Sequence, residues 1–169
     1  IYTGAGMFED LCEILQRRIR VEMDSELLVS LELRLAEVFE TAMANVDQAI
    51  AAYNRALEND AANQQALNRL EFLYVSQHRW EPLFDTYQKM VDVSNTDSEM
   101  ADCYQRMAKI ASDALEREGD AVDLWNRVLD LRGEDGLALG ELAALHEHAE
   151  RWDLSLLHIS EPTRLRHIS

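Results

Sequence analysis

Residues 45–80 read NVDQAIAAYNRALENDAANQQALNRLEFLYVSQHRW, and their pattern returns 72 positions later. Ala49, Asn54, Arg55 and Leu57 fall on Ala121, Asn126, Arg127 and Leu129; Leu67, Leu70, Leu73, Arg79 and Trp80 fall on Leu139, Leu142, Leu145, Arg151 and Trp152. Eighteen identities accumulate when every pair 72 apart is compared up to Trp80, with conservative matches such as Val38 with Ile110 and Tyr53 with Trp125. A duplicated stretch with apolar residues on one side must bury that side against its neighbours, so the repeat dictates a stack of similar layers.

Inside each unit the apolar spacing is helical. Ala49, Tyr53, Ala56 and Leu57 make one stripe, and Ala66, Leu67, Leu70 and Tyr74 make the next, separated by the polar joint at 59–63. The same reading predicts helices over Phe8–Met23, Ser25–Met43, Val46–Glu58, Asn63–Gln77 and Trp80–Val93. It continues with Asp97–Glu116, Asp120–Leu131 and Gly136–Ala149, and a last helix beginning at Trp152. Short joints make sequential helices antiparallel neighbours, two hairpins to a unit. Thr96 with Glu99 reads as a capping box, and Asn45 with Gln48 as a related start. Gly119 marks an expected helix end, and Pro82 sits just inside a helix start, where its missing N–H does little harm. Small residues at Ala36, Ala49, Ala66 and Ala108 let helices approach, while Tyr53, Trp80 and Trp125 are expected to fill the space between hairpins.

These residues resemble the tetratricopeptide repeat. Leu35, Ala36 and Phe39 match its first-helix set, as do Leu67, Leu70 and Tyr74, except that Glu71 stands where a small residue is usual. Ala49, Tyr53 and Ala56, and then Ala121, Trp125 and Val128, are similar to the second-helix set. Leu35, Leu70, Met107 and Leu142 are spaced by 35, 37 and 35 residues, and Ala61 replaces the customary proline, so the array is divergent. The resemblance implies an all-α fold, a right-handed α-solenoid of stacked antiparallel helix hairpins, over residues 1–153. It also implies a concave groove lined by Glu37, Glu40, Thr41, Asn68, Phe72, Lys109, Ser112, Asp113 and His148, positions expected to bind a protein or peptide partner. Lys109 is the one strong base in that set, so a basic or mixed extended peptide fits better than an acidic peptide end.

The net charge of −16 opposes binding to a phosphate backbone or an anionic membrane surface, so neither nucleic acid nor membrane is an expected partner. Charge also ranks the scaffold reading above an RNA-associated array of the pentatricopeptide or half-a-tetratricopeptide kind, which needs basic residues repeated on one face. A regulatory arm of a larger enzyme is a further alternative. With 6 glycines and 2 prolines there is little turn chemistry for a β fold.

Catalytic signals are missing from the pattern. His146 and His148 are two apart, so a helix points them away from each other, and zinc-protease spacing is absent. Their expected place is a solvated helix end, while His78 is expected to cap or pack at a joint beside Trp80. The pairs Glu9–Asp10 and Glu134–Asp135 lie on expected surfaces, with no phosphate loop or nucleophile elbow nearby. Enzymatic activity, a metal and a cofactor are therefore not expected. Cys12 and Cys103 are far apart in sequence and read as buried free thiols.

Both ends depart from the repeat. Ile1-Tyr2 aligns with Leu73-Tyr74, which reads as a start inside a repeat helix, and uncapped ends of this kind invite self-association. After Trp152 the core stripe of the Trp80 helix is replaced by Ser155, Ile159 and Pro162, which should interrupt the helix. The stretch from Leu154 to Arg164 resembles a translated sequencing-library adapter, implying that residues 154–169 are a non-native tail.

Overall fold

The computed structural model describes residues 4–165, and every regular element among them is helical. The helices are α1 (Gly4–Val21), α2 (Ser25–Glu37), α3 (Val46–Asn59), α4 (Gln64–Ser76), α5 (Trp80–Val93), α6 (Asp97–Asp113), α7 (Glu118–Arg132) and α8 (Gly136–Leu165). A π-helical turn, Val38–Ala42, continues α2. The chain divides into two compact units, Ile1–Ser94 with α1 to α5 and Asn95–Ser169 with α6 to α8. The alignment of Ile1-Tyr2 with a repeat helix lies outside the described residues.

Polar side chains start the helices where the sequence places them. Asp24 accepts from the Glu26 and Leu27 amides, Asn45 from Gln48, Asn63 from Ala66 and Thr96 from Glu99. Each takes up an N–H that the first helical turn leaves without a carbonyl. Asp135 does the same for the Ala138 amide at 3.0 Å.

In the first unit Leu35, Ala36, Ala49, Ala52, Tyr53, Ala56, Ala66, Leu67 and Leu70 are completely buried, so α2, α3 and α4 meet through small residues around one aromatic ring. In the second unit Ala108, Ala111, Ala121, Trp125, Val128 and Ala138 are completely buried in the same manner. Cys12 and Cys103 are both buried. The duplication reaches the backbone: Met43 and Asn45 N–H groups bond to Val38 and Phe39 carbonyls at 3.0 and 2.7 Å, and 72 residues on, Leu115 and Arg117 bond to Ile110 and Ala111 at 3.0 and 2.7 Å. Ala44 and Glu116, also register mates, turn the chain with φ of 49° and 53°.

Most predicted helix bounds agree to within two residues, but several expectations need correction. Helix α1 begins four residues before the expected Phe8, at Gly4, and α6 ends at Asp113 instead of Glu116. Gly119 lies within the first turn of α7; the left-handed residue of that joint is Glu116, because the wide-turn hydrogen bonds of Leu115 and Arg117 close the end of α6 before the glycine is reached. Trp80 is only half-buried and Trp152 is 60% exposed, so the fully buried large rings are Tyr53 and Trp125.

The expected joint near Arg151 is absent as well. Helix α8 runs unbroken to Leu165, through Trp152 and the backbone of Pro162. In the first unit His78, with φ 52°, turns the chain between α4 and α5. Its register mate is Glu150, preceded by Ala149, and both favour continued helix. With no apolar stripe after Trp152 to fold back on the stack, nothing opposes that preference. His146 and His148 consequently sit in mid-helix, exposed, and not at a helix end.

Candidate functional site

Five of the sequence-predicted groove residues gather on one face of the first unit, where the end of α2 and its π turn meet α4. Gln65 Nε2 donates to Glu37 Oε1 at 2.6 Å, and Arg69 forms an ion pair with Glu40. The Tyr53 hydroxyl rises from α3 and donates to Glu40 Oε2 at 2.8 Å. Thr41 Oγ1 donates back to the Glu37 carbonyl at 2.7 Å, so it stiffens the turn that presents both carboxylates. On α4, Asn68 is exposed and Phe72 is 57% exposed, with the Arg69 guanidinium 4.7 Å from its ring centroid. Val75, 44% exposed, extends the apolar strip by one turn.

Burial, with the Glu37 charge second, raises the Tyr53 phenol to about 12. Its proton is thereby held in place for Glu40. Arg69 was not among the expected site residues; its spacing three residues before Phe72 is the signal for a stacked cation, although its ion pair with Glu40 occupies much of its charge.

The remaining candidates lie in the second unit. Lys109 and Asp113 are exposed on α6, and Ser112 between them donates to the Lys109 carbonyl at 3.2 Å and to Asp113 Oδ1 at 3.0 Å. His148 Nδ1, on α8, lies 2.9 Å from Glu118 at the start of α7. A polar cluster that the sequence reading passed over surrounds Arg132, which pairs with Asp102, with Gln105 Oε1 at 2.8 Å and with Asp135 at 3.1 Å. The Asp135 carboxyl is held below the usual carboxylate range by the Ala138 amide it accepts from, and by Arg132.

A groove of about 360 Å³ runs along another face of the first unit, between α3 and α5. Asn54, Leu57, Glu58 and Ala61 line one wall and Lys89, Asp92 and Val93 the other. No three His, Cys, Asp or Glu side chains among the described residues gather as a metal-binding set, and no described helix is long and apolar enough to cross a membrane. The two faces differ in character: one carries an exposed aromatic with fixed carboxylates near it, and the other an apolar floor with charged rims.

No family model matches the sequence, and no curated protein does. Solved structures do. A crystal structure of MamA matches at 14% identity with a TM-score of 0.51, covering 89% of this chain and 87% of that one. A second MamA structure, from AMB-1, matches at 20% identity with a TM-score of 0.52 over 96% of this chain and 85% of its own. A tetratricopeptide repeat protein from Parabacteroides merdae matches at 18% identity with a TM-score of 0.52; the match covers 88% of this chain and 56% of that protein. These similarities show the fold, a tetratricopeptide-like helical repeat.

Proposed function

We propose that this chain, with its tetratricopeptide-like repeat fold, is a protein-interaction scaffold that holds an extended peptide segment of a partner across the α2–α4 face of its first unit. The carrying observation is Phe72: a large ring left 57% exposed on the same helix that buries Leu67, Leu70, Leu73 and Tyr74. An exposed aromatic contributes little to the stack, and a bound chain gains most by covering it. Glu37 and Glu40 lie beside it, already fixed by Gln65, Tyr53 and Arg69, so little side-chain freedom is lost on binding.

The excess of carboxylates, with Arg69 committed to Glu40, favours a partner segment carrying Lys or Arg spaced around an apolar residue. In the other unit Lys109, Ser112 and Asp113 on α6 offer a second surface of mixed polarity, while His148 stands apart on α8 beside Glu118. Catalysis has no part in this reading.

The test is an array of extended peptides, basic, mixed and acidic, probed with the wild-type chain and with Phe72→Ala. Basic or mixed peptides retained by the wild type and lost by Phe72→Ala support the assignment. Preference for acidic peptides, or retention that ignores Phe72, refutes it. Single-stranded RNA retained on a column at physiological salt would replace the scaffold reading with an RNA-associated one.

A further inference from the structure

We propose that the groove between α3 and α5 is a separate docking site, taking an amphipathic helix of another protein that lies antiparallel to both walls. The partner helix sets a base over Glu58 and Asp92, an apolar residue on Leu57 and Val93, and an acid at Lys89. This goes beyond the peptide-binding reading of the α2–α4 face and does not rest on it. Other helices precede α3 and follow α5 in the chain, so neither wall is an end of the array.

Charge selects the occupant. Glu58 and Asp92 are each the penultimate residue of their helix, α3 ending at Asn59 and α5 at Val93. Two antiparallel steps with short joints separate the walls, so α3 and α5 run in the same direction and finish at the same end of the groove. A helix C-terminus carries partial negative charge, so a carboxylate there is unfavourable and a base offsets it. Neither α3 nor α5 has a base in its last turn. Their mates in the 72-residue register do: α1, mate of α5, ends with Arg18 and Arg20, the second standing where α5 has Asp92, and α7, mate of α3, ends with Arg132. Among the described residues Lys89 pairs with neither acid, and Asp92 accepts from the neutral Gln88 amide at 3.0 Å. Two carboxylates and two helix ends therefore converge without a cation to meet them, and a partner's Lys or Arg supplies it.

The groove lining favours a helix over an extended chain. Extended backbone needs partners for its own N–H and C=O groups, whereas a helix satisfies them internally. The one side-chain amide in the lining, Asn54, has its Nδ2 committed to the Ile50 carbonyl at 3.0 Å and the Tyr74 hydroxyl at 3.1 Å. Residues 54, 57, 58 and 61 on one wall and 89, 92 and 93 on the other follow the ridge spacing by which helices receive another helix. A helix about 10 Å across cannot sink into about 360 Å³, so it inserts one ridge of side chains and leaves its far face in water. Antiparallel placement sets the partner's positive N-terminal end beside Glu58 and Asp92 and leaves its acid facing Lys89.

The test is fluorescence anisotropy on the full chain with a stapled helical peptide carrying Arg, Leu and Glu at successive turns of one face, and with a second peptide in which Arg and Glu are exchanged. The wild type should bind the first at least about tenfold more tightly than the second. Glu58, Lys89 and Asp92 are all exposed, so a chain with Glu58→Lys, Asp92→Lys and Lys89→Glu keeps its fold, which circular dichroism verifies, and its preference should reverse. Lys89 and Lys109 are the chain's two lysines, so carbodiimide coupling of the amine-free peptide through its glutamate should mark Lys89. Phe72→Ala should bind the peptide as the wild type does. No binding, equal affinity for both peptides, a preference that survives the triple reversal, or a cross-link at Lys109 overturns the proposal. Binding lost in Phe72→Ala overturns it too, by moving the peptide to the α2–α4 face. A wild-type chain whose sedimenting mass rises with concentration and returns to monomer in Lys89→Glu would put a second copy in the groove instead.

Discussion

Tyr53 and Trp125 are register mates, both completely buried, yet the Tyr53 hydroxyl donates to Glu40 at 2.8 Å while Trp125 Nε1 has no acceptor among the described residues. The difference lies in the partner, because the residue 72 positions after Glu40 is Ser112, whose hydroxyl is engaged on its own helix. One duplicated site has a satisfied core ring and the other an orphaned donor.

Removing the polar atom should therefore have unequal effects. Tyr53→Phe deletes a made hydrogen bond and should cost about 1 kcal/mol in urea denaturation. Trp125→Phe deletes an unmade one, and the relief of a buried unsatisfied N–H offsets the volume lost, so its cost should stay under about 1 kcal/mol. A loss above about 2 kcal/mol for Trp125→Phe would contradict this account.

Tyr53 also makes stability depend on alkaline pH. Its phenol is raised to about 12 in the folded chain by burial and by Glu37, against about 10 for an unperturbed tyrosine. The folded state holds the proton more tightly than the unfolded one, so the contribution is complete below pH about 10 and is lost as pH climbs through about 12. Denaturation midpoints at successive pH values should fall across that window, and the difference between wild type and Tyr53→Phe should carry the fall. Parallel curves for the two chains would reject Tyr53 as its source.

A second pair of register mates gives a contrast in ion pairing. Arg55 Nε binds Glu32 Oε1 at 3.0 Å, and Glu32 is 3% exposed with its other oxygen unpaired. Their mates are Arg127 and Tyr104, where the guanidinium stands 5.3 Å from the ring centroid. Arg55→Ala strands a buried carboxylate and should cost about 2 kcal/mol or more, after discounting for the 41% exposure of the arginine side chain. Arg127→Ala leaves a neutral phenol behind and should cost no more than about 1 kcal/mol. Equal shifts in denaturant midpoint for the two variants would contradict this account.

The periodic parts of the fold were legible because packing repeats them: Ala49, Tyr53 and Ala56 fall on one helical stripe, and the same stripe returns at Ala121, Trp125 and Val128. Trp80 misled because identity with Trp152 shows that a position recurs, without showing which side of the helix faces the stack. Gly119 misled because hydrogen bonding to Ile110 and Ala111 had already ended α6, and Glu116 took the strained turn. In the candidate site, Phe72 and the carboxylates Glu37 and Glu40 follow from helical spacing, whereas the Arg69–Glu40 pair spans 29 residues and two helices, a contact that local pattern does not encode.

The last stretch of α8 makes the clearest structural prediction about the tail. Trp152, Leu154, Leu156 and Leu157 are each more than half exposed. An apolar side chain that stays in water contributes almost nothing to the folded state, so a chain ending at Asp153 should match the 169-residue chain in denaturation midpoint to within about 0.5 kcal/mol. Truncation should also remove a source of nonspecific clumping, seen as a sharper boundary in sedimentation. A midpoint lowered by more than about 1 kcal/mol would mean that the segment after Asp153 packs against the stack and belongs to its core.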